Sequence, residues 1–214
     1  MTRYDFTTQP NRLNQNTMKW HEAESDPELL ELWVADMDFL PVPEIRDAVI
    51  NYAETHIFGY PYPSDELYQS IIDWEKNQHG YSVDKASIVL IEGVVPAIST
   101  AIQSFTKEDD AVLINTPVYP SFARSVRLNN RKLIENSLVK VNGHFEIDFE
   151  QLERDIVDND VKLYVFCSPH NPGGRVWTKE ELTMVADLCQ KHGVLLVSDE
   201  IHQDLALYGN KHIS

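Results

Sequence analysis

The chain has 214 residues, is 43% apolar, and carries 18 basic against 34 acidic side chains, a net charge of −16. Such an excess of acid repels phosphate backbones and argues against a nucleic-acid partner. Met1–Phe6 lacks the apolar core of a leader sequence, and no apolar run approaches the roughly 20 residues that a bilayer span requires, so a cytoplasmic protein without a membrane partner is expected.

Residues 1–40 show no sustained periodicity and read as an N-terminal arm and connecting segment. Pro43 is placed as the first-turn proline of a helix presenting Ile45, Ala48, Val49 and Tyr52. Ser64 is placed as the N-cap of a second helix, presenting Leu67, Ile71 and Ile72 and ending before Gly80. From about Ser87 onward, strands alternate with helices, the order of a mostly parallel α/β sheet with helices on its faces. Ile88–Ile91, Ala111–Ile114, Lys162–Cys167 and Val194–Ser198 are short continuous apolar runs, as expected of strands covered on both sides. Ala97, Ile98, Ala101, Ile102 and Phe105 share one helical face. Thr178 and Glu181 form a capping box that opens a helix whose Leu182, Val185, Ala186 and Cys189 point inward, with Gly193 placed to stop it. The two cysteines, Cys167 and Cys189, both fall in apolar settings and read as reduced core residues.

Candidate site residues follow these elements. Asp199 ends an apolar strand, which puts its carboxylate at the carboxyl edge of a parallel sheet, where open α/β folds bind ligands. Asn171 lies in Ser168-Pro-His-Asn-Pro-Gly-Gly-Arg175, where the following proline restricts its backbone and two glycines let the chain pass close to a ligand. Val94 and Val95, in Glu92-Gly-Val-Val-Pro96, open a helix whose free amides and dipole suit an anion; any strand-glycine-helix junction looks the same. Tyr119, in Thr116-Pro-Val-Tyr-Pro120, follows a strand at the same edge and offers an aromatic face. Tyr60, in Phe58-Gly-Tyr-Pro-Tyr62, is a loop tyrosine whose hydroxyl is free to donate. No Gly-x-Gly-x-x-Gly follows the Ile88 run, which argues against a dinucleotide-binding protein.

The Ser168–Arg175 octet with Asp199-Glu-Ile-His202, Trp33-Val-Ala-Asp-Met-Asp-Phe39, Phe58–Pro61 and Glu92–Pro96 resembles fold-type I pyridoxal-phosphate enzymes. Within that superfamily of class I and II aminotransferases, the chain is similar to the C-S lyase branch, the cystathionine β-lyase group typified by MalY and PatB, and the likeness spans nearly the whole sequence. The resemblance implies a PLP-dependent transferase-like large domain over 41–214 whose C-terminal part is missing. It implies pyridoxal 5′-phosphate as cofactor and no metal. Asp199 would face the pyridine nitrogen, Asn171 the phenolate oxygen, Tyr119 the ring face, and the Val94 and Val95 amides the phosphate. Tyr60 would reach the phosphate of a neighbouring subunit in a homodimer. His202 stands where the aminotransferases proper usually have tyrosine, which steers the reading to the lyases. The lysine that forms the Schiff base is expected beyond Ser214, so no catalytic residue is assigned within this chain. The implied reaction is cleavage of the β-carbon to sulfur bond of cystathionine-type amino acids. An aminotransferase would share every residue named, and a non-catalytic truncated fragment is the reading from a different class.

Overall fold

The computed structural model describes residues 4–26 and 28–214. The chain divides into two compact units, Met1–Tyr62 and Pro63–Ser214. No helix among the described residues is long and apolar enough to cross a membrane.

In the first unit, the described residues before Pro43 contain turns and one short 3-10 turn, Glu22–Glu24, followed by helix α1, Pro43–Thr55. Ion pairs hold the irregular part together. Arg12 reaches Asp36 and Asp38, each at 2.7 Å, and Lys19 pairs with Asp38 at 2.7 Å. The Trp20 indole N–H donates to the same Asp38 carboxylate at 2.8 Å. Both acids of the Trp33–Phe39 segment are therefore spent on local structure. Pro43 does open α1, but that helix buries none of its residues, and Ile45, Val49 and Tyr52 are exposed.

The second unit opens with α2, Asp65–Trp74, whose N-cap Ser64 accepts the Leu67 amide at 3.2 Å, as its sequence position predicts. Its carboxyl end widens into one π-helical turn, Glu75–His79, closed by Gly80 at φ 74°. Four parallel strands follow, β1 (Ala111–Thr116), β2 (Lys132–Ser137), β5 (Val161–Cys167) and β6 (Leu195–Asp199), in the order β2-β1-β5-β6. Between β2 and β5 a small antiparallel hairpin, β3 (Val139–Val141) and β4 (His144–Glu146), precedes α5, Phe149–Asp158.

Alternation along the strands splits the core into two layers. Leu113, Tyr164 and Phe166 join Leu152 and Ile156 of α5 and Val185 and Cys189 of α6 (Lys179–His192) on one face. Val112, Ile114, Leu163, Val165 and Cys167 meet Ile98 and Ile102 of α3 (Val94–Phe105) and Phe122 and Val126 of α4 (Ser121–Leu128) on the other. Covering both faces is what lets β1 and β5 carry the continuous apolar runs Ala111–Ile114 and Leu163–Cys167. The capping box is present in full, and Gly193 ends α6 at φ 66°.

Two further expectations fail, and one strand goes unforeseen. Ile88–Ile91 is not a strand; it runs as irregular chain with Val89 84% exposed, because no strand among the described residues lies beside it to complete its backbone hydrogen bonds. Phe105 and Ala186 face outward rather than into the core, each lying at the rim of its helix's apolar stripe. Strand β2 was not anticipated, because its Lys132-Leu-Ile-Glu-Asn-Ser137 sequence interleaves charge with apolar residues, as suits a strand at an edge of the sheet.

Candidate functional site

Strand order places the site before any side chain does. From β1 the chain moves outward to β2 through α4, whereas β5 and β6 lie on the other side of β1. The order therefore reverses between β1 and β5, and the loops leaving their carboxyl ends part to open a crevice there. Those loops carry Tyr119 and Asn171. They are joined across the crevice, where the Tyr119 N–H donates to the Asn171 carbonyl at 3.1 Å.

The Asn171 segment is fixed from below as well. Its N–H donates to the Cys167 sulfur at 3.3 Å, and the Cys167 thiol in turn donates to the Pro169 carbonyl at 3.4 Å. The turn Asn171–Gly174 closes through an antiparallel bridge between His170 and Arg175. Arg175 is clamped by both carboxylate oxygens of Glu181, at 2.6 and 2.7 Å, and donates to the Phe145 carbonyl. Trp177 donates its indole N–H to the Cys167 carbonyl at 2.8 Å. Peptide bonds Thr116–Pro117, Ser168–Pro169 and Asn171–Pro172 are cis.

Asp199 ends β6 directly opposite Cys167 of β5, and its carbonyl accepts the Ser168 N–H at 3.0 Å. The residue is buried, and its Oδ1 accepts only the Ile201 amide, at 3.1 Å. Among the described residues Oδ2 has no partner. Burial raises the carboxyl above its ordinary value, opposed by the Ile201 amide and by His202. The neighbouring acid is arranged differently, since Glu200 accepts from Ser198 at 2.8 Å and pairs with His212 at 2.9 Å. Asp199 is thus a desolvated acid that lacks a cation, and Glu200 is one already satisfied. His202 is half-buried at the start of a 3-10 turn, Gln203–Leu205.

Val94 and Val95 occupy the first turn of α3, after Gly93 at φ 115°. Val94 packs on the same apolar layer as Cys167 and Val118, so the amino end of α3 meets the carboxyl edge of the sheet. First-turn amides have no partner within their own helix and sit at its positive end. Tyr119 is partly exposed, its ring edge-to-face with Phe122 at 6.4 Å. Tyr60 lies in the first unit and is fully exposed. The carboxyl edge of the sheet therefore gathers Val94, Val95, Tyr119, Asn171, Asp199 and His202.

These groups fit a flat, charged, phosphorylated heteroaromatic. The buried carboxylate calls for a cationic N–H, the Asn171 amide for an anionic oxygen, and the α3 amides for a phosphate. Pyridoxal 5′-phosphate has all three groups. The family model described as aminotransferase class I and II matches residues 27–213. The chain belongs to this family. It is 41% identical over 211 residues to cystathionine β-lyase PatB of Bacillus subtilis, covering 97% of this chain and 54% of that protein. It is 34% identical over 187 residues to the protein MalY of Escherichia coli, covering 87% of this chain and 48% of MalY. Among solved structures, cystalysin from Treponema denticola, which contains pyridoxal 5′-phosphate, superposes with a TM-score of 0.93 at 39% identity over 99% of this chain and 55% of that one. The chain thus spans about half the length of the relatives it matches.

The sequence did not reveal Cys167 or His170 as parts of the site. Cys167 is the core residue expected, but its sulfur also anchors the Asn171 amide, a contact set by the turn and announced by no motif.

Proposed function

We propose that the protein to which this chain belongs is a pyridoxal-phosphate-dependent C-S β-lyase acting on cystathionine-type amino acids. The observation that carries the reading is the buried Asp199, without an ion pair among the described residues, beside a backbone-anchored Asn171, in a chain 41% identical to a cystathionine β-lyase. Pyridoxal phosphate, when bound, supplies an electron sink for the pair left at Cα when its proton departs. Asp199 would hold the proton on the ring nitrogen and keep the ring cationic, and His202, when protonated, favours the ionised form of that carboxylate. Asn171 would donate to the phenolate oxygen, Tyr119 cover the ring face, and the Val94 and Val95 amides receive the phosphate. Two free, buried cysteines, Cys167 and Cys189, accord with work in the cytoplasm.

The test is the product. Given cystathionine and water, the full-length protein is expected to release homocysteine, pyruvate and ammonia, followed as a free thiol and by lactate dehydrogenase. Glutamate formed from 2-oxoglutarate, with no thiol released, would make it an aminotransferase instead.

The active form is a homodimer in which Tyr60 serves the partner's phosphate. Its full exposure leaves the hydroxyl available to a second subunit. Tyr60→Phe is expected to weaken cofactor retention by about 1.5–3 kcal/mol, the worth of one hydrogen bond to a charged group. Mixing that variant with Asp199→Ala should restore activity, since a mixed dimer assembles one site free of both lesions. A mixture no more active than its parents, after subunit exchange is demonstrated, would refute the shared site.

A further inference from the structure

His170 lies within the cradle loop, and none of the roles above uses it. The residue is 3% exposed. Its Nδ1 accepts the Gly173 N–H at 3.2 Å, its own N–H donates to the Arg175 carbonyl at 2.7 Å, and its carbonyl accepts the Gly174 N–H at 2.8 Å. Its Nε2 is buried without a hydrogen-bond partner among the described residues. The imidazole stands edge-to-face on Trp177, with centroids 5.6 Å apart and planes at 71°.

A neutral imidazole that accepts at Nδ1 carries its proton at Nε2. Protonating Nδ1 would set a second N–H against the Gly173 amide. Burial, and after it the charge of Arg175, draws the ring's pKa down to about 4, so it is neutral through the physiological range. The contact also explains a glycine. A Cβ at Gly173 would fall 2.6 Å from His170 Nδ1 and 3.2 Å from the Phe145 ring, so closeness to the imidazole, not a left-handed φ, keeps this position bare.

We propose that His170 is a positioning residue that, as the Nε2–H tautomer, ties down the Gly173 amide and so sets the direction in which the Asn171 side chain leaves its turn. Asn171 is then held on three sides: by Cys167 at its N–H, by Tyr119 at its carbonyl, and by His170 through the Gly173 amide two residues onward. The inference rests on Asn171 being a cofactor ligand.

The probe is pyridoxamine 5′-phosphate, which keeps the ring, phenolate oxygen and phosphate but cannot condense with a lysine. Its affinity for the cofactor-free full-length protein is read by fluorescence quenching. Asn171→Ala and His170→Leu are each expected to weaken it about three- to tenfold, the scale of one net hydrogen bond. His170→Asn, whose Oδ1 falls near the place of Nδ1, should recover most of that loss. Gly173→Ala should weaken binding in the parent protein and add much less in a His170→Ala background, where the 2.6 Å collision is gone and only the milder 3.2 Å contact with Phe145 remains. In ¹⁵N spectra at neutral pH the His170 Nδ1 should be unprotonated. Weakening by Asn171→Ala with no effect of His170→Leu would overturn the positioning role and leave the cofactor reading standing. So would equal losses in the Asn and Leu variants, or a protonated Nδ1. No effect of Asn171→Ala would remove the cofactor reading itself. Should His170→Leu not fold, the Gly173→Ala pair decides by whether its effect depends on residue 170.

Discussion

Replacing Asp199 by asparagine is expected to lower turnover of the full-length protein by on the order of 10²- to 10³-fold, the loss seen when one preorganised electrostatic partner of a developing charge is removed. Shape is kept, and Oδ1 can still accept the Ile201 amide, so the loss would come from charge alone. The same change should leave the cofactor-free fold as stable or make it more so. Burial raises the Asp199 carboxyl above its unfolded value, so the folded state binds its proton more tightly than the unfolded chain does. The resulting penalty is absent below the unfolded pKa, grows as pH rises toward the folded pKa, and is fully present above it. Asparagine removes that penalty at neutral pH. The expected result is therefore a variant that unfolds no earlier than the parent without cofactor yet turns over little substrate with it. Thermal unfolding of the cofactor-free forms at pH 7, beside steady-state rates, checks both halves. Wild-type turnover in the variant would refute the assignment, and a large loss of stability would mean that the carboxylate serves the fold.

Legibility in the sequence followed the environment of each segment. Strands β1 and β5 were visible because strands inside the sheet carry unbroken apolar runs, as Ala111–Ile114 and Leu163–Cys167 do, and β6, at one edge, was visible because Leu195–Val197 keeps such a run. Strand β2 was hidden because Lys132 and Glu135 interrupt its apolar run, and because one of its inward positions is Asn136. That side chain is satisfied by Asn115 at 2.9 Å and Asp155 at 2.8 Å, a polar chain that ends at the Tyr164 hydroxyl. A buried asparagine looks like a solvent-facing one until its partners are known. Ile88–Ile91 erred the other way, since its composition is that of a strand while pairing depends on a neighbour. Asp199, Asn171 and Tyr119 were legible as candidates because each ends or follows an apolar strand at the carboxyl edge of the sheet. The contacts that aim them, through the Cys167 sulfur and the His170 ring, depend on how one tight turn closes, and residue spacing does not encode that.

Trp177→Ala is expected to cost about 3–5 kcal/mol of stability, the range for emptying a buried aromatic site. The indole is 2% exposed, packs on Phe166 at a centroid distance of 5.8 Å, and carries the Arg175 guanidinium 4.8 Å from its centroid on its surface. Its removal would also leave the buried Cys167 carbonyl without its donor and take away the wall against which His170 stands. Trp177→Phe separates these effects. It keeps most of the apolar volume and loses the indole N–H, so about 1 kcal/mol is expected, the net worth of one neutral hydrogen bond. Urea unfolding checks both, the midpoint falling while its slope is unchanged, since the same surface is exposed on unfolding. Because Trp177 supports the β5 end and the cradle turn together, the alanine variant should also bind pyridoxamine 5′-phosphate more weakly at urea concentrations where it is still fully folded. A destabilised variant whose folded form binds as well as the parent would show that Trp177 holds the core without holding the turn, and that the Cys167, Tyr119 and Arg175–Glu181 contacts keep Asn171 in place without it.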